Sequence, residues 1–463
     1  MPGGDPAGWV IARHMLGAVT SAATPLDRFR QLLRIPTISR LDESEVEWPE
    51  FDRFVATVET LYPAVHAHLT REIVAGHSLL FRWSGSSYDD PALLMAHYDV
   101  VAATDERWEH PPFGAELVET SDGDSEVWAR GALDDKGALV SILEAVEASL
   151  VRGFVPNRDI YLSFGHNEET TGTGATAIAA LLDERGIRLG LVLDEGGAIV
   201  EGIFPGVDKP IAVVGVSEKG IMSVELAVVQ EGGHASTPPK LSATARLARA
   251  IVRLDSRPFR ASFTPTNLEM IRTVGAHARQ PYRWLFTHLG LTRGVLLRAF
   301  ARLGPETNAM VRTTAVVTRL SGSQADNALA ETARATVNVR VAIDSSVGAA
   351  VGHIRRAIHD EKVSVTALHP SEPSPVSPTA GPGWELLSEA IEATYEDAAV
   401  TPYVMLGASD SRHFTGIADA VYRFSPFEMS AAERGTLHAV NERIRLSTWL
   451  RGIAFYERLI AQL

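Results

Sequence analysis

Cysteine is absent from this sequence of 463 residues. Disulfide bridges and thiolate chemistry are therefore excluded, and any bound metal must be held by histidine and carboxylate side chains. An uninterrupted run of about 18 apolar residues, which a membrane-spanning helix needs, is also missing. The basic residues form no runs and the formal net charge is −14, so we expect no nucleic-acid partner.

Residues 8–23 are mildly apolar, but Arg13 and His14 interrupt them and no basic segment precedes them. We interpret this stretch as a helical or frayed extension, with a secretory signal as the alternative. A chain without cysteine also fits a reducing compartment. The sequence therefore predicts a cytoplasmic protein.

The length of the chain predicts two domains, because a single hydrophobic core rarely grows to this size. Between about residues 90 and 200, short apolar runs alternate with helix-like segments, which predicts a mostly parallel sheet covered by helices. Alternating residues near 217 and 333 predict an antiparallel sheet. We predict an α/β catalytic domain from residues 1–216 and 372–463, interrupted by an α+β domain at 217–371. The Pro-, Ser- and Gly-rich residues 369–383 are interpreted as a linker.

Polar side chains follow three of the predicted buried strands. They are His97, Asp99, Glu168, Glu169, Asp194 and Glu195. Asp134 adds a carboxylate in a loop that leads into a helix. Each pair alone is compatible with a surface feature, but acidic groups at the end of a buried strand repel one another unless a cation or proton intervenes. Because ligands bind beyond the carboxyl ends of strands in open α/β sheets, the combination predicts a metal site.

The residue types also match the needs of a two-metal centre. Two zinc ions need a bridging carboxylate, further histidine and carboxylate ligands, and an unligated carboxylate that accepts a proton from water. A histidine ligand also needs its second ring nitrogen held in place. Asp99 lies two residues beyond His97 on the same strand face and is placed to hold that nitrogen.

Nine motifs resemble, in order and over almost the whole chain, those of peptidase family M-20. They read LLMAHYDVV, WARGALDDKGA, HNEETTGTGA, LVLDEGG, VSEKGIMSVEL, GGHAS, TVNVR, DSR and LHAVNERI. Within the family, the resemblance is to the carboxypeptidase-S branch and its animal relative, the N-fatty-acyl-amino-acid synthase/hydrolase; aminoacylase is more distant. It implies a dizinc, zinc-peptidase-type metallohydrolase that cleaves the amide bond of N-acyl amino acids or short peptides with a free carboxylate. Co²⁺ or Mn²⁺ are possible substitutes for zinc.

The resemblance also assigns roles at the metal site. The implied ligands are His97, Asp134, Glu169, Glu195 and His438, with Asp134 bridging the two ions and followed by a cis peptide. Glu168 is implied as the general base for attack by a metal-bridging water, and Asp99 as the residue that orients His97. Asp194 is the alternative to its neighbour Glu195. His413 is a rival to His438, but we interpret it as a packing or supporting residue.

The inserted segment resembles the family's lid and dimerisation domain, which implies a homodimer. His234 is implied to reach the partner subunit's active site and stabilise the oxyanion; from its two preceding glycines alone it would be a turn residue. Arg340 and Asn327 are implied to bind the substrate's carboxylate and carbonyl. We expect an apolar cluster in this segment to pack helices together or form a dimer contact. Its members are Pro281, Trp284, Leu285, Phe286, Leu289 and Leu291.

Two alternatives remain open at this stage. The first is a dipeptidase or short-chain N-acyl amino acid deacylase with the same metal site. Residues 265–300 match the family less clearly than their flanks, so the sequence leaves the acyl-chain length open. The second is a non-catalytic binding protein on a hydrolase scaffold, since a fold alone does not establish function.

Overall fold

A computed structural model describes residues 23–103 and 107–463 of the chain. Residues 8–22 of the predicted extension lie outside the described residues. The chain divides into two compact units, one formed by residues 1–181 and 432–463 and the other by residues 182–431. Within the described ranges, no helix combines the length and the apolar character needed to cross a membrane.

The helices include both long amphipathic elements and single turns. In chain order they are α1 (Pro25–Leu33), α2 (Trp48–Leu61), α3 (Pro63–His68), α4 (Lys136–Val151), α5 (Thr173–Glu184), α6 (Ala243–Asp255), α7 (Pro265–His277), α8 (Tyr282–Thr287), α9 (Leu289–Leu303), α10 (Pro305–Met310), α11 (Val347–Ile358), α12 (Pro382–Thr394), α13 (Ala431–Arg434) and α14 (Leu446–Gln462). Short 3-10 helices span Glu43–Glu45 and Asp410–Phe414.

The strands are mostly short. In chain order they are β1 (Thr70–Val74), β2 (Ser78–Trp83), β3 (Ala92–His97), β4 (Glu116–Glu119), β5 (Ser125–Trp128), β6 (Ile160–Gly165), β7 (Leu191–Asp194), β8 (Ala198–Val200), β9 (Ile211–Glu218), β10 (Gly220–Val229), β11 (Gly233–His234), β12 (Thr314–Ser321), β13 (Ala328–Leu329), β14 (Thr332–Val341), β15 (Ser364–Ser371), β16 (Ala399–Met405), β17 (Val421–Arg423), β18 (Glu428–Met429) and β19 (Arg443–Arg445).

The first unit contains the strand order β1-β2-β6-β3, in which β3 and β6 run parallel. Both of these strands are buried at every position, as their continuous apolar sequences predict for strands covered on both faces. Helix α4 packs against β3 and α14, and Trp449 of α14 stacks on Phe29 with ring centroids 4.4 Å apart. The carboxyl ends of β3 and β6 are therefore fixed by a rigid core.

The second unit contains the strand order β7-β17-β9-β8-β18, with β16 parallel to β9. The pairs β7/β17 and β8/β18 are also parallel. A separate antiparallel sheet follows the order β12-β14-β10-β15. Along β14 the odd-numbered positions from 333 to 341 are buried, as predicted for a sheet with one covered face.

The antiparallel sheet has a core of its own with helices α6 and α11. Every buried member of this core lies between residues 222 and 363, including Leu226, Leu247 and Ile354. The predicted α/β class with an inserted α+β domain is thereby confirmed. The boundaries at residues 216 and 372 stay a prediction. The predicted linker starts too early, because residues 369–371 belong to strand β15.

The apolar cluster expected on the inserted segment is only partly covered. Phe286 and Leu289 are buried, and Leu285 is half-buried. Trp284 and Leu291, in contrast, are 49% and 79% exposed. Helix packing therefore accounts for Phe286 and Leu289, whereas Trp284 and Leu291 lie on the surface of the unit.

Candidate metal centre and active site

Asp134 lies between two histidines in the first unit. Its Oδ1 is 3.0 Å from Nε2 of His97, and its Oδ2 is 2.9 Å from Nε2 of His438. The same nitrogen of His438 lies 3.0 Å from Oε2 of Glu169. The two oxygens of Asp134 thus face different imidazoles, which is the arrangement that a carboxylate bridging two cations requires.

His97 is held from its other side by Asp99. Nδ1 of His97 lies 3.0 Å from the backbone oxygen of Asp99 and 3.3 Å from its carboxylate. The carboxylate of Asp99 is fully buried and accepts backbone hydrogen bonds from Glu168 and Glu169, each at 3.1 Å. One carboxylate therefore joins the end of β3 to the loop after β6 and fixes which ring nitrogen of His97 faces Asp134.

The loop that carries Asp134 is held by Glu442, a residue that the sequence reasoning missed. Glu442 is fully buried and accepts hydrogen bonds from the backbone N–H groups of Leu133 and Asp134, at 2.8 and 3.2 Å. Its other oxygen lies 2.5 Å from the guanidinium of Arg130. Its place in the NERI motif, four residues after His438, was the available signal.

The peptide bond between Asp134 and Asp135 is cis, as the family resemblance implied. The carboxylate of Asp135 is buried and accepts a hydrogen bond from the backbone N–H of His97 at 3.3 Å. Helix α4 begins at the next residue, Lys136. The loop therefore contacts the end of β3 through backbone as well as side-chain groups.

The charges of the cluster are coupled. Burial lowers the pKa of His97, but its hydrogen bonds to Asp134 and Asp99 outweigh that effect and raise the pKa well above the usual value. Hydrogen bonds to Asp134 and Glu169 raise the pKa of His438 to about 10. Burial raises the pKa of Glu169. Hydrogen bonding between imidazoles and carboxylates thus outweighs the effect of burial for both histidines.

The donor set fits a divalent metal. Histidine nitrogens and carboxylate oxygens are suitable ligands for zinc, cobalt and manganese. Ligand atoms of His97, Asp134 and Glu169 all lie within 4.8 Å of one another. Oε1 of Glu169 is buried and has no hydrogen-bond partner within the described ranges. A cation bound beside His97 and Asp134 would give this buried carboxylate oxygen the partner that it lacks.

Glu168, like its neighbour Glu169, is half-buried at the end of β6. One of its carboxylate oxygens lies within 4.8 Å of a ring nitrogen of His97. Its backbone N–H donates to the carboxylate of Asp99, which holds this part of the loop in place. A carboxylate at this distance can accept a proton from a water molecule beside the cluster.

Glu195 lies in the second unit, directly after strand β7, and is half-buried. Its neighbour Asp194 is almost completely buried, and Oδ2 of Asp194 accepts the backbone N–H of Ser411 at 2.8 Å. The carboxylate of Asp194 is therefore engaged within its own unit. This difference favours Glu195 over Asp194 as the residue available for a metal.

His234 and Asn327 lie side by side in the second unit. Strand β11, which ends at His234, pairs with β13 through Ala328, and the N–H of Ala235 donates to the carbonyl of Asn327 at 3.0 Å. Both side chains are exposed. The structure thus brings together two residues that the sequence separates by 93 positions.

Arg340 lies on strand β14 among other cationic groups of the second unit. Its Nε donates to Oδ1 of Asn338 at 3.3 Å, and burial together with the charge of Arg412 lowers its pKa. Burial and the charge of Arg340 lower the pKa of Lys219 to about 8. Lys219 and Arg412 were not singled out from the sequence, although both lie in quoted motifs, SEKG and DSR. A half-buried arginine with cationic neighbours favours an anionic ligand.

An α/β fold with a histidine–carboxylate cluster beyond its buried strands defines the class of metal-dependent hydrolases. The family model described as "Peptidase family M20/M25/M40" matches residues 93–462, and the chain belongs to this family. It is accordingly an enzyme that hydrolyses peptide or amide bonds.

Several known proteins are similar over almost the whole chain. A probable carboxypeptidase S-like 2 of Dictyostelium discoideum is 35% identical, and the match covers 90% of this chain and 80% of that protein. The human N-fatty-acyl-amino acid synthase/hydrolase PM20D1 is 33% identical, with 92% and 85% covered. The crystal structure of the metallo-carboxypeptidase Sso-CP2 from Sulfolobus solfataricus shares the fold, with a TM-score of 0.69, 18% identity and 95% and 98% covered.

Proposed function

We propose that the protein is a dizinc hydrolase that cleaves the amide bond of N-acyl amino acids or short peptides with a free carboxylate. The observation that carries the proposal is the position of Asp134, whose two oxygens face His97 and His438 separately. The relatives add the substrate classes, since one bears the name carboxypeptidase S-like and another N-fatty-acyl-amino acid synthase/hydrolase.

Four residues of the first unit would hold the two metals, and the resemblance to the family adds Glu195 as a fifth ligand. The four are His97, Asp134, Glu169 and His438. When bound, zinc would polarise the carbonyl of the scissile amide and lower the pKa of water. Zinc is proposed over cobalt and manganese, which the same donors also accept.

Glu168 is proposed to move the proton. It would accept a proton from the attacking water and pass it to the leaving nitrogen, as a general base and then a general acid. Asp99 fixes Glu168 through the backbone and His97 through the ring. The hydrogen-bonded groups would keep their positions through the reaction, so little reorganisation would be needed.

The inserted domain is proposed to bind the rest of the substrate. Arg340 would pair with the free carboxylate, with Asn327 at the carbonyl, and His234 would stabilise the oxyanion in the partner subunit. The proposed homodimer is supported by β12, an edge of the antiparallel sheet on which Val316 and Leu320 are 60% and 67% exposed. Edge strands with exposed apolar side chains are normally covered, and pairing with the same edge of a second copy gives a closed dimer.

The alternative substrates differ in the acyl side of the amide. A dipeptidase or short-chain deacylase would use the same metal ligands and the same base.

The cytoplasmic location also stays a prediction. A non-catalytic protein is disfavoured, because the proposed base and every proposed ligand are present in the sequence.

The test is a substrate panel on zinc-supplemented protein whose metal content is measured first. We expect two metal ions per chain and hydrolysis of N-acetyl, N-lauroyl or N-oleoyl amino acids or of dipeptides. Matched amides whose carboxylate is methylated should react poorly, because Arg340 would lose its partner. Equal rates with and without the carboxylate would contradict the proposed recognition, and a metal content that stays at or below one ion would contradict the bridged centre.

A further inference from the structure

The helical part of the inserted segment carries a local charge opposite to that of the whole chain. Residues 270–305 contain six arginines and no aspartate, glutamate or lysine, whereas the whole chain has 57 acidic and 43 basic residues. This segment contains α8 and α9 and ends at the start of α10. A strongly cationic surface on an acidic protein points to an anionic partner.

Helix α9 displays part of this charge on a single face. Leu291, Val295, Arg298 and Arg302 are all exposed and follow the spacing i, i+4, i+7 and i+11, so they form one stripe along the helix. Leu289, Thr292 and Leu296 form the buried face of the same helix. The outward stripe of α9 thus carries two aliphatic side chains followed by two cationic ones, in place of the usual purely polar surface.

Helix α8, which directly precedes α9 in the chain, exposes aromatic residues as well. Tyr282 and Trp284 are 40% and 49% exposed, and Arg283 between them is exposed as well. Phe286, one turn after Tyr282, is buried and anchors the helix in its unit, and its ring lies 6.2 Å from that of Tyr282 between centroids. We use the name basic-aromatic face for seven of the exposed side chains of α8 and α9, namely Tyr282, Arg283, Trp284, Leu291, Val295, Arg298 and Arg302.

The two arginines of the α9 stripe differ from the other arginines of this segment in their contacts. Arg279, before α8, pairs with Asp208, and Arg293 donates to the carbonyl of Phe263 at 3.3 Å. Arg298 and Arg302, in contrast, form no ion pair with any acidic group in the part of the chain that the structure describes. Contacts within the protein therefore account for Arg279 and Arg293. They do not account for Arg298 and Arg302.

We propose that the basic-aromatic face binds the surface of an anionic lipid bilayer. Arginines beside exposed leucine, valine and tryptophan on a short helical surface match the two parts of a bilayer interface. Guanidinium groups pair with lipid phosphates, while aliphatic side chains enter the region below the headgroups and tryptophan lies at the boundary. An acidic protein surface complements the arginines but offers no apolar layer below its charges, so the mixed stripe favours lipid over a second copy of this chain.

The binding would be peripheral and electrostatic in part. Each arginine close to an anionic membrane strengthens binding by roughly fivefold, and salt weakens this contribution. The chain as a whole has a net charge of −14, so the rest of its surface would be repelled by the same membrane and only one orientation would bind. The inference concerns a surface of the second unit and does not depend on the proposed hydrolysis.

The test uses the full chain loaded with zinc and vesicles of defined composition. Co-flotation is measured with phosphatidylcholine vesicles and with vesicles in which about one-third of the lipid is phosphatidylglycerol. We expect binding to the anionic vesicles only, and weaker binding at high salt. Arg298→Gln together with Arg302→Gln should weaken binding by roughly 20- to 30-fold. The double substitution Leu291→Ser and Val295→Ser should weaken the apolar contribution to binding, which persists at high salt.

A matched control removes two exposed arginines elsewhere in the chain, with Arg356→Gln and Arg458→Gln, and should bind as the unchanged protein does. Thermal unfolding and hydrolysis of a soluble short-chain substrate serve to show that all variants are folded. Absence of binding to anionic vesicles, or equal loss in the control, would overturn the proposal. The proposal would also be overturned if the unchanged protein did not bind vesicles and the α9 variants sedimented differently from it. The basic-aromatic face would then bind a second copy of the chain.

Discussion

The two histidine regions that we propose to be functional differ in how their side chains are held. His97 is 2% exposed, with Asp99 at one ring nitrogen and Asp134 at the other. His234 is exposed and lies on a two-residue strand whose described contacts are made by the backbone. The first histidine is fixed before any ligand arrives, whereas the second is available to something outside its own strand pair.

This difference separates two kinds of contribution to catalysis. A buried, hydrogen-bonded cluster is preorganised, so a change within it should affect metal binding and stability together. An exposed histidine can be removed at little cost to the fold, and its loss should appear only in turnover. Variants in the two regions should therefore separate cleanly when metal content, stability and rate are measured on the same samples.

The largest effect is expected for Asp134→Asn. The amide would leave only one acceptor oxygen between His97 and His438, so the bridge should fail and metal and activity should be lost together. Metal content per chain and hydrolysis are measured on the same preparation. Asp89→Asn, at an exposed acid, is the control and should retain both. A variant of Asp134 that keeps two ions would show that Asp134 does not bridge them.

A smaller loss, confined to rate, is expected for Glu168→Gln. The substitution removes the proposed base but none of the proposed ligands, and the backbone hydrogen bond to Asp99 remains. Turnover should fall by roughly 10²–10⁴-fold with the metal content unchanged. Metal analysis and kcat provide the readout. Near-native kcat would assign the proton transfer to another group, and loss of metal would place Glu168 among the ligands.

For the exposed region, His234→Ala should lower kcat by roughly 10²–10³-fold and leave metal content and thermal stability unchanged. If the histidine serves the partner subunit, mixing this variant with Glu168→Gln should restore activity. A heterodimer would contain one site with a native base and a native histidine across the interface. Random pairing predicts recovery of roughly a quarter of the original activity.

The complementation is measured after co-expression of the two variants, with chromatography to verify heterodimers. Each variant expressed alone is the control and should stay inactive. Verified heterodimers without recovery would mean that His234 acts within its own chain or only packs. In that case the contrast between the two histidine regions would be one of burial alone.

The same contrast shows what the sequence could predict. Continuous apolar runs identified β3, β6 and β7, and the polar residues after them indicated the candidate metal ligands, because ligands bind beyond the carboxyl ends of strands in open α/β sheets. Glu442 escaped this reasoning, since it contacts Leu133 and Asp134 from more than 300 positions along the chain. The cationic surroundings of Arg340 escaped it for the same reason. Contacts between distant segments leave no local periodicity in a sequence.

Glu442→Gln tests the supporting layer of the buried region. The neutral side chain would leave the buried guanidinium of Arg130 without its charged partner and would weaken the support of the Asp134 loop. Loss of such support typically lowers metal affinity by about 10- to 100-fold. Competition with a chelator measures the affinity, and thermal unfolding should show reduced stability. Unchanged affinity with reduced stability would limit Glu442 to the fold.

The smallest effect should come from Arg340→Lys in the second unit. Lysine keeps the charge but loses the planar fork and the Nε–H that Asn338 accepts, so a carboxylate would be bound less well. We expect kcat/KM to fall by about tenfold, mainly through KM, for substrates with a free carboxylate.

Arg334→Lys is the matched control for this change. It lies on the same strand, six residues earlier, where its guanidinium pairs with Glu225 at 2.6 Å on an exposed surface. Exposed ion pairs contribute little, so this variant should keep both the rate and the KM. A methylated substrate provides the second comparison, because it has no carboxylate for Arg340 to bind and should lose no further rate in Arg340→Lys. If both substrates lost rate equally, Arg340 would act on the shape of the inserted domain and not on the substrate's charge.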